Sequence, residues 1–447
     1  MIDKDGFAIA AKIIKTPDGL LHDHLLIIKN KKISDICPRH TVSPDLRVEE
    51  WGNVLLVPGT VNGHGHSFQS YFKGFANDRP NGTWHTKVLY PFAKGLSADD
   101  IYNGALFAFS EAARAGITTT VDFFYLHDGS NANAERVIQA AHDVGIRLVL
   151  ARTFYEDKVE VQSAPARFKE DPRDSETRLL ELAKQYSTDD SVSIQPAPHS
   201  LRASSVATVR RALELAADLG VKCHLHVHEG KIQRQALEST LGATPVRVLA
   251  KEGLITPNLL VIHGLHLESD EISLLADGGA GLIHCPSTAL IFGHGFSAII
   301  PMIQQGMKIG LGCDGGCCSN KQSIFEEMRM ASLSAKGRER DSSVLGADAA
   351  FNMGTSIGAD LLSVNAGSIE KGRWADVVAL DLDDLSLQPL ATLNSQIVYS
   401  MQQSAVKNVM VGGNVIVLNG RLTRVQESEI ANKVNRVTHH WKMPSYN

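Results

Sequence analysis

Two histidines one residue apart, His64 and His66, stand where an apolar run breaks into a turn. Residues 57–69 read VPGTVNGHGHSFQ, preceded by Val54, Leu55 and Leu56. On a strand, residues i and i+2 point the same way, so both imidazoles reach one point at the strand's end. Neutral imidazole is the commonest protein ligand for Zn²⁺ and also suits iron and nickel. An HxH pair alone is equally compatible with a surface or core pair of histidines. The later segments decide between the two.

Three such segments follow. KCHLHVHEG holds His224, His226, His228 and Glu229; VIHGLH holds His263 and His266; IGLGCDGG carries Asp314. Each closes a stretch that reads as a strand. In a βα barrel the C-terminal strand ends form the active-site face, where residues from several strands converge. Four polar strand ends in succession point to a metal-dependent site.

The elements that must position these residues follow an alternating rhythm. Residues 8–14, 25–29 and 32–36 read as short strands, with Asn30 at a turn. From 58 to 366, strands at 118–124, 147–151, 192–196, 221–226, 259–263, 280–284 and 308–313 alternate with helical patterns. Those helices fall at 98–115, 133–144, 175–186, 205–219, 245–252, 269–277 and 297–305. Repeated βα units predict a parallel sheet, and their number predicts a closed (β/α)8 TIM-like barrel. Strand texture returns at 377–380, 408–411 and 414–418, with Gly412-Gly413 as a hairpin signal, and 427–441 reads as a terminal helix. The expected organisation is a small β-sandwich domain from both chain ends (1–57 plus 367–447) and a hydrolase barrel over 58–366. Residues 155–174 carry two prolines and mixed charge, and read as a surface loop or a lid over the barrel mouth.

Composition narrows the function classes. The 447 residues are 43% apolar and 21% charged with net charge −5, an ordinary globular balance without the basic surplus of a nucleic-acid binder. No apolar run approaches the roughly 18 residues that suggest a membrane span. The start, MIDKDGFAIAAK, lacks the basic opening of a signal peptide, and six cysteines in so long a chain are no disulfide framework. A cytoplasmic enzyme for a small-molecule substrate is expected, without a nucleic-acid or membrane partner.

The motif order, VPGxVNGH with HxH, then HVHE, IHGLH, and GLGCDGG followed by FEEMR, resembles the amidohydrolase superfamily. It is most similar to the branch of mononuclear deaminases and chlorohydrolases acting on guanine, 8-oxoguanine, S-adenosylhomocysteine, triazines and N-formimino-glutamate. SIEKGRWADVVALD and VKNVMVGGNVIVLNGR match that family's return to its β domain, so the resemblance covers nearly the whole chain. It implies His64, His66, His226 and Asp314 as metal ligands, Glu229 as the proton shuttle, and His263 acting with Asp314 on the attacking water. Three imidazoles and a carboxylate leave room for a water, as a catalytic site needs. One divalent ion is implied, zinc, with iron(II) as the alternative, and homo-oligomers are implied too. Two-metal members use a carboxylated lysine at the fourth strand's end; SIQPAPHSLR contains none, which favours one metal and deamination.

The same resemblance implies substrate contacts. Gln69, in HxHxxQ, matches a substrate-contacting residue, and APHSLRA matches the formimino-glutamate enzymes through His199 and Arg202, with Tyr125 of FFYLHD as a further contact. Arginine would grip a carboxylate bidentately. The match breaks at Trp84-His85, where those enzymes carry an arginine, and Arg79 is out of register. Cys313, Cys317 and Cys318 replace the relatives' hydroxyl and small residues, and read as soft packing or, less readily, metal ligands. His228 stands where Ala is usual, and His284 sits at another strand end. The expected reaction is deamination of an aminated heterocycle (purine, pterin or triazine). The alternatives are an N-formimino-amino-acid deiminase, an amide or carbamate hydrolase, and a non-catalytic metal-binding scaffold.

Overall fold

The computed structural model describes residues 6–79, 83–156 and 164–442. Its organising strand is Val48–Pro58, which pairs parallel with Phe7–Thr16 and antiparallel with Val377–Asp381. Val54, Leu55, Leu56 and Val57 are fully buried, so both faces of this strand sit in core. Around it one nine-stranded sheet gathers strands from both chain ends, running from Arg421–Leu422 at one edge to Lys32–Pro38 at the other. Gly59 then lets the chain turn against Thr118: a Cβ at 59 would meet that side chain at 2.1 Å.

Beyond the turn, eight short strands run parallel in two arcs of four. Thr60–Asn62, Ile117–Phe124, Arg147–Phe154 and Val192–Pro198 form the first. Cys223–Val227, Leu259–His263, Gly281–His284 and Ile309–Leu311 form the second. Every residue of Ile117–Phe124 and Arg147–Phe154 is buried, as expected of parallel strands covered by helices on one face and core on the other. Backbone bonds bridge the arcs on both sides. His226 N–H donates to His199 O at 3.1 Å, and Gly63 N–H donates to Leu311 O at 2.8 Å.

The helices start and stop where their caps predict. Ser97 and Asp100 form a capping box for Ala98–Arg114, Ser205 caps Val206–Leu219, and Gly145 and Gly220 end helices at φ +86° and +67°. Strand Leu259–His263 and helix Ser269–Asp277 lie at their expected bounds, and the terminal helix ends earlier than expected, at Thr438. Helices Lys231–Leu241 and Ile324–Glu339 were not expected. The second buries Glu327 and Ser332 beside Phe325 and Met328, so it shows no clean apolar stripe. Of the 155–174 stretch, residues 157–163 lie outside the described set. Tyr155 and Phe168 on its flanks are buried, and Asp171 caps the helix Pro172–Gln185. Among the described residues, no helix is long and apolar enough to cross a membrane.

Candidate metal centre and active site

The strand ends converge as their spacing requires. A short parallel pair, Gly65–His66 with Asp314–Gly315, brings the HxH turn against the last strand, and Asp314 N–H donates to His64 O at 2.9 Å. His263 and Asp314 hold φ of +72° and +61°, conformations that non-glycine residues adopt at a cost of about 1–3 kcal/mol.

Backbone carbonyls set the imidazole tautomers. His66 Nδ1 lies 2.7 Å from Phe123 O and His226 Nδ1 lies 2.9 Å from His199 O. A carbonyl only accepts, so each Nδ1 carries the proton and each Nε2 presents a lone pair. The lone pairs of His66 and His226 converge with His64 Nε2 and Asp314: His226 Nε2 is 3.2 Å from His64 Nε2, and Asp314 Oδ1 is 3.6 Å from His64 Nε2 and 3.5 Å from His66 Nε2. The bare Nε2 of His66 and the Asp314 carboxylate are acceptors with no proton between them, an arrangement that a cation relieves. Tetrahedral ligands at about 2.1 Å from a zinc-sized ion stand roughly 3.4 Å apart, which matches. Burial lowers all three histidines, His226 to about 3, so they are neutral at pH 7 and ready to ligate. The site fits one divalent metal ion.

Glu229 and His263 complete the cluster, each offering a ligand atom within 4.8 Å of His226's. His263 Nε2 is 4.0 Å from Asp314 Oδ2. Burial pushes the Glu229 carboxyl up, whereas positive charge on the facing groups, His226 and His263 when protonated and Arg202 permanently, pulls it below the usual carboxylate range.

A cavity opens on this cluster, and Gln69, Tyr125, His199 and Arg202 all line it. Gln69 Nε2 donates to Tyr125 Oη at 2.7 Å. His199 stacks on His226 at 4.8 Å and meets the Tyr155 ring at 4.9 Å. Arg202 Nε is buried without a hydrogen-bond partner. Of the site residues expected from the sequence, all but His64, which is fully buried beside His66 and His226, line this cavity.

Other expected neighbours do not. His224 lies deeper, its Nε2 2.9 Å from Gln195 Oε1; His228 sits apart, with Arg234 and His266 as its charged and titrating neighbours; and His284 is buried away from the cavity wall. Cys318 lines the cavity, whereas Cys313 and Cys317 do not. His85, at the arginine position of the formimino-glutamate enzymes, does line it.

Sequence reasoning missed Trp84, Tyr90, Phe292 and His294, which complete the walls. Tyr90 follows a π-helical turn, His85–Leu89, that no residue pattern announces. Phe292 and His294 lie just past the short helix that follows strand end His284, so extending the strand-end rule by one turn would have reached them.

The chain is 30% identical over 418 residues to the 5-methylthioadenosine/S-adenosylhomocysteine deaminase of Teredinibacter turnerae, covering 92% of this chain and 91% of that one. An adenosine deaminase from Xanthomonas campestris, solved with bound zinc, superposes with a TM-score of 0.88 at 25% identity, over 97% of this chain and 98% of its own. The atrazine chlorohydrolase of Arthrobacter aurescens TC1, complexed with zinc, shares the fold with a TM-score of 0.89 at 23% identity, over 96% and 99%. The fold is therefore of the TIM-barrel type. The model of the amidohydrolase family matches residues 55–416, so this chain belongs to the amidohydrolase family.

Proposed function

We propose that this protein is a metal-dependent aminohydrolase that replaces an amino nitrogen of an aminated heterocycle (purine, pterin or triazine) by oxygen, releasing ammonia. The observation that carries this is the convergence of the His64, His66 and His226 Nε2 atoms and Asp314 on one point, with Glu229 beside it on the cavity wall. The deaminase names of its relatives support the same reaction.

In this reading His64, His66, His226 and Asp314 hold the ion; zinc is our choice, because the Xanthomonas structure carries it, with iron(II) as the alternative. Such an ion activates water near neutral pH. Glu229 begins as an anion, takes a proton from the attacking water, and delivers it to the departing nitrogen. His263 orients that water together with Asp314. Gln69, Tyr125 and His199 hold the ring edge, and Arg202 takes an anionic substituent. A second reading, an N-formimino-amino-acid deiminase, is favoured by the unpartnered Nε of Arg202, which suits a substrate carboxylate.

The scaffold reading is of the same standing. We take the eight strands as a closed (β/α)8 barrel over 58–366, supported by the bonds that bridge both arc boundaries. We take 1–57 plus 367–447 as a β domain folded over its own apolar cluster of Ile9, Ile14, Val54 and Met410. A cytoplasmic homo-oligomer completes the proposal.

Ammonia release by metal-loaded protein decides the matter. The panel holds guanine, 8-oxoguanine, isoxanthopterin, S-adenosylhomocysteine, a triazine, and formimino-glutamate and formimino-aspartate. Turnover of a heterocycle supports the first reading and turnover of a formimino acid the second. No ammonia from any member overturns both and favours amide or carbamate hydrolysis.

A further inference from the structure

One wall of the cavity is more ordered than the chemistry above uses. Gln69 Oε1 accepts from the Cys317 thiol at 3.2 Å, while Cys318 Sγ lies 3.7 Å from that oxygen and 3.7 Å from Cys317 Sγ. Gly315 backs the same oxygen: a Cβ there would come within 1.9 Å of it. Gln69, Tyr125, Cys317 and Cys318 are all at most 2% exposed. The amide carbonyl is therefore turned into a slot made of two thiols and a glycine.

An amide carries two N–H donors and one carbonyl acceptor, and a thiol is a weak donor. Two thiols around one oxygen favour a carbonyl in the slot over an NH₂. The Gln69 amide also gives one N–H to Tyr125 Oη. What the wall has left to offer a ligand is the second Gln69 N–H and the Tyr125 O–H, whose oxygen is already accepting. Both are donors. A buried donor set against another donor loses its hydrogen bond outright.

We propose that Cys317 and Cys318 are positioning residues that fix which end of the Gln69 amide meets the substrate. The resulting two-donor wall selects heterocycles whose facing edge carries an acceptor, an oxo group or an unprotonated ring nitrogen, and rejects those presenting an amino group there. The substrate half of this inference rests on the aminohydrolase reading; the amide clamp does not.

The test compares wild type, Cys317→Ala/Cys318→Ala and Cys317→Ser, with Cys317→Ala alone in reserve should the double variant not fold. The probes are two pairs that each differ by one ring-nitrogen acceptor replaced by C–H, guanine against 7-deazaguanine and adenosine against 7-deazaadenosine. For whichever pair is turned over, wild type is expected to prefer the acceptor-bearing member by at least about tenfold in kcat/KM, mainly through KM. The double variant brings that ratio towards one, and Cys317→Ser, which keeps a donor, restores it. Equal use of both members by wild type, or an undiminished ratio in the double variant, overturns the proposal.

The side-chain amide ¹⁵N–¹H resonances of Gln69, assigned by their loss in Gln69→Glu, give a readout free of turnover. The clamp predicts that they are displaced in the double variant and near-native in Cys317→Ser; resonances unchanged in the double variant overturn it. Displaced resonances together with no turnover of any heterocycle would keep the clamp and remove the aminohydrolase reading.

Discussion

Ser67 donates both its backbone N–H, at 3.0 Å, and its hydroxyl to the carboxylate of Asp122, one residue after His66. Burial pushes Asp122 up to about 6 against these two bonds. The carboxylate thereby anchors the HxH turn to strand Ile117–Phe124, whose Phe123 carbonyl also orients His66. Groups that orient ligands typically contribute about 10–100-fold to metal affinity. Ser67→Ala is expected to weaken metal binding within that range, measured by competition with a chromogenic chelator, and unchanged affinity would remove Ser67 from this role.

Glu229→Gln is expected to keep wild-type metal content and lose turnover by about 10²–10⁴-fold, the usual contribution of a positioned acid–base. Metal analysis beside steady-state kinetics reads both. Near-normal turnover would mean that another group moves the proton.

His226→Ala should bind little metal and melt at a lower temperature than metal-loaded wild type, because a ligand that binds only the folded chain stabilises it. Chelator-stripped wild type is the comparator. Wild-type metal content in the variant would exclude His226 as a ligand.

Arg202→Met separates the substrate readings. For a substrate with a carboxylate, KM should rise by roughly 10–100-fold, the value of a charge-assisted hydrogen bond. For a neutral heterocycle KM should scarcely move. A rise for both would make Arg202 a structural partner of the site.

Glu327 gives a pH test. It is buried on helix Ile324–Glu339 with Oε1 unpartnered, and burial raises its carboxyl to about 8 against hydrogen bonds from Ser287. In the unfolded chain it titrates near 4.5. Between those values the folded chain holds a proton that the unfolded chain has released. Its stabilising contribution is therefore complete below about pH 4.5 and is lost as pH rises to about 8. Relative to Glu327→Gln, the wild-type Tm should fall steadily from about pH 5 to pH 8. A constant difference would show that Glu327 is ionised in the folded state throughout.

The ligands were legible because their signal is local. His64, His66, His226, His263 and Asp314 each lie at or within a few residues of the C-terminal end of a strand that the apolar pattern reveals, and the strand-end rule does the rest. The cavity walls were less legible because they are assembled across distance. Gln69 and Cys317 are 248 residues apart, and nothing near either announces the other. His294 lies on irregular backbone beyond a strand end, where no period applies, and Tyr90 opens a short helix behind a π-helical turn that the pattern does not announce. The nine-stranded sheet was half legible: its strands can be read from alternation and turns, but pairing between the chain ends leaves no trace in either end alone.

That pairing sets a timetable for synthesis. Pro58, six residues before the first ligand, is registered against Val377, roughly 320 residues later. At about 5–20 residues per second, a ribosome needs roughly 15–65 seconds to cover that interval. Throughout it, one edge of the Val48–Pro58 strand is exposed hydrogen-bonding template beside fully buried-type side chains. Nascent chains thus stay aggregation-prone past the last barrel strand, Ile309–Leu311, until Val377–Asp381 emerges, and chaperone demand should persist to that point.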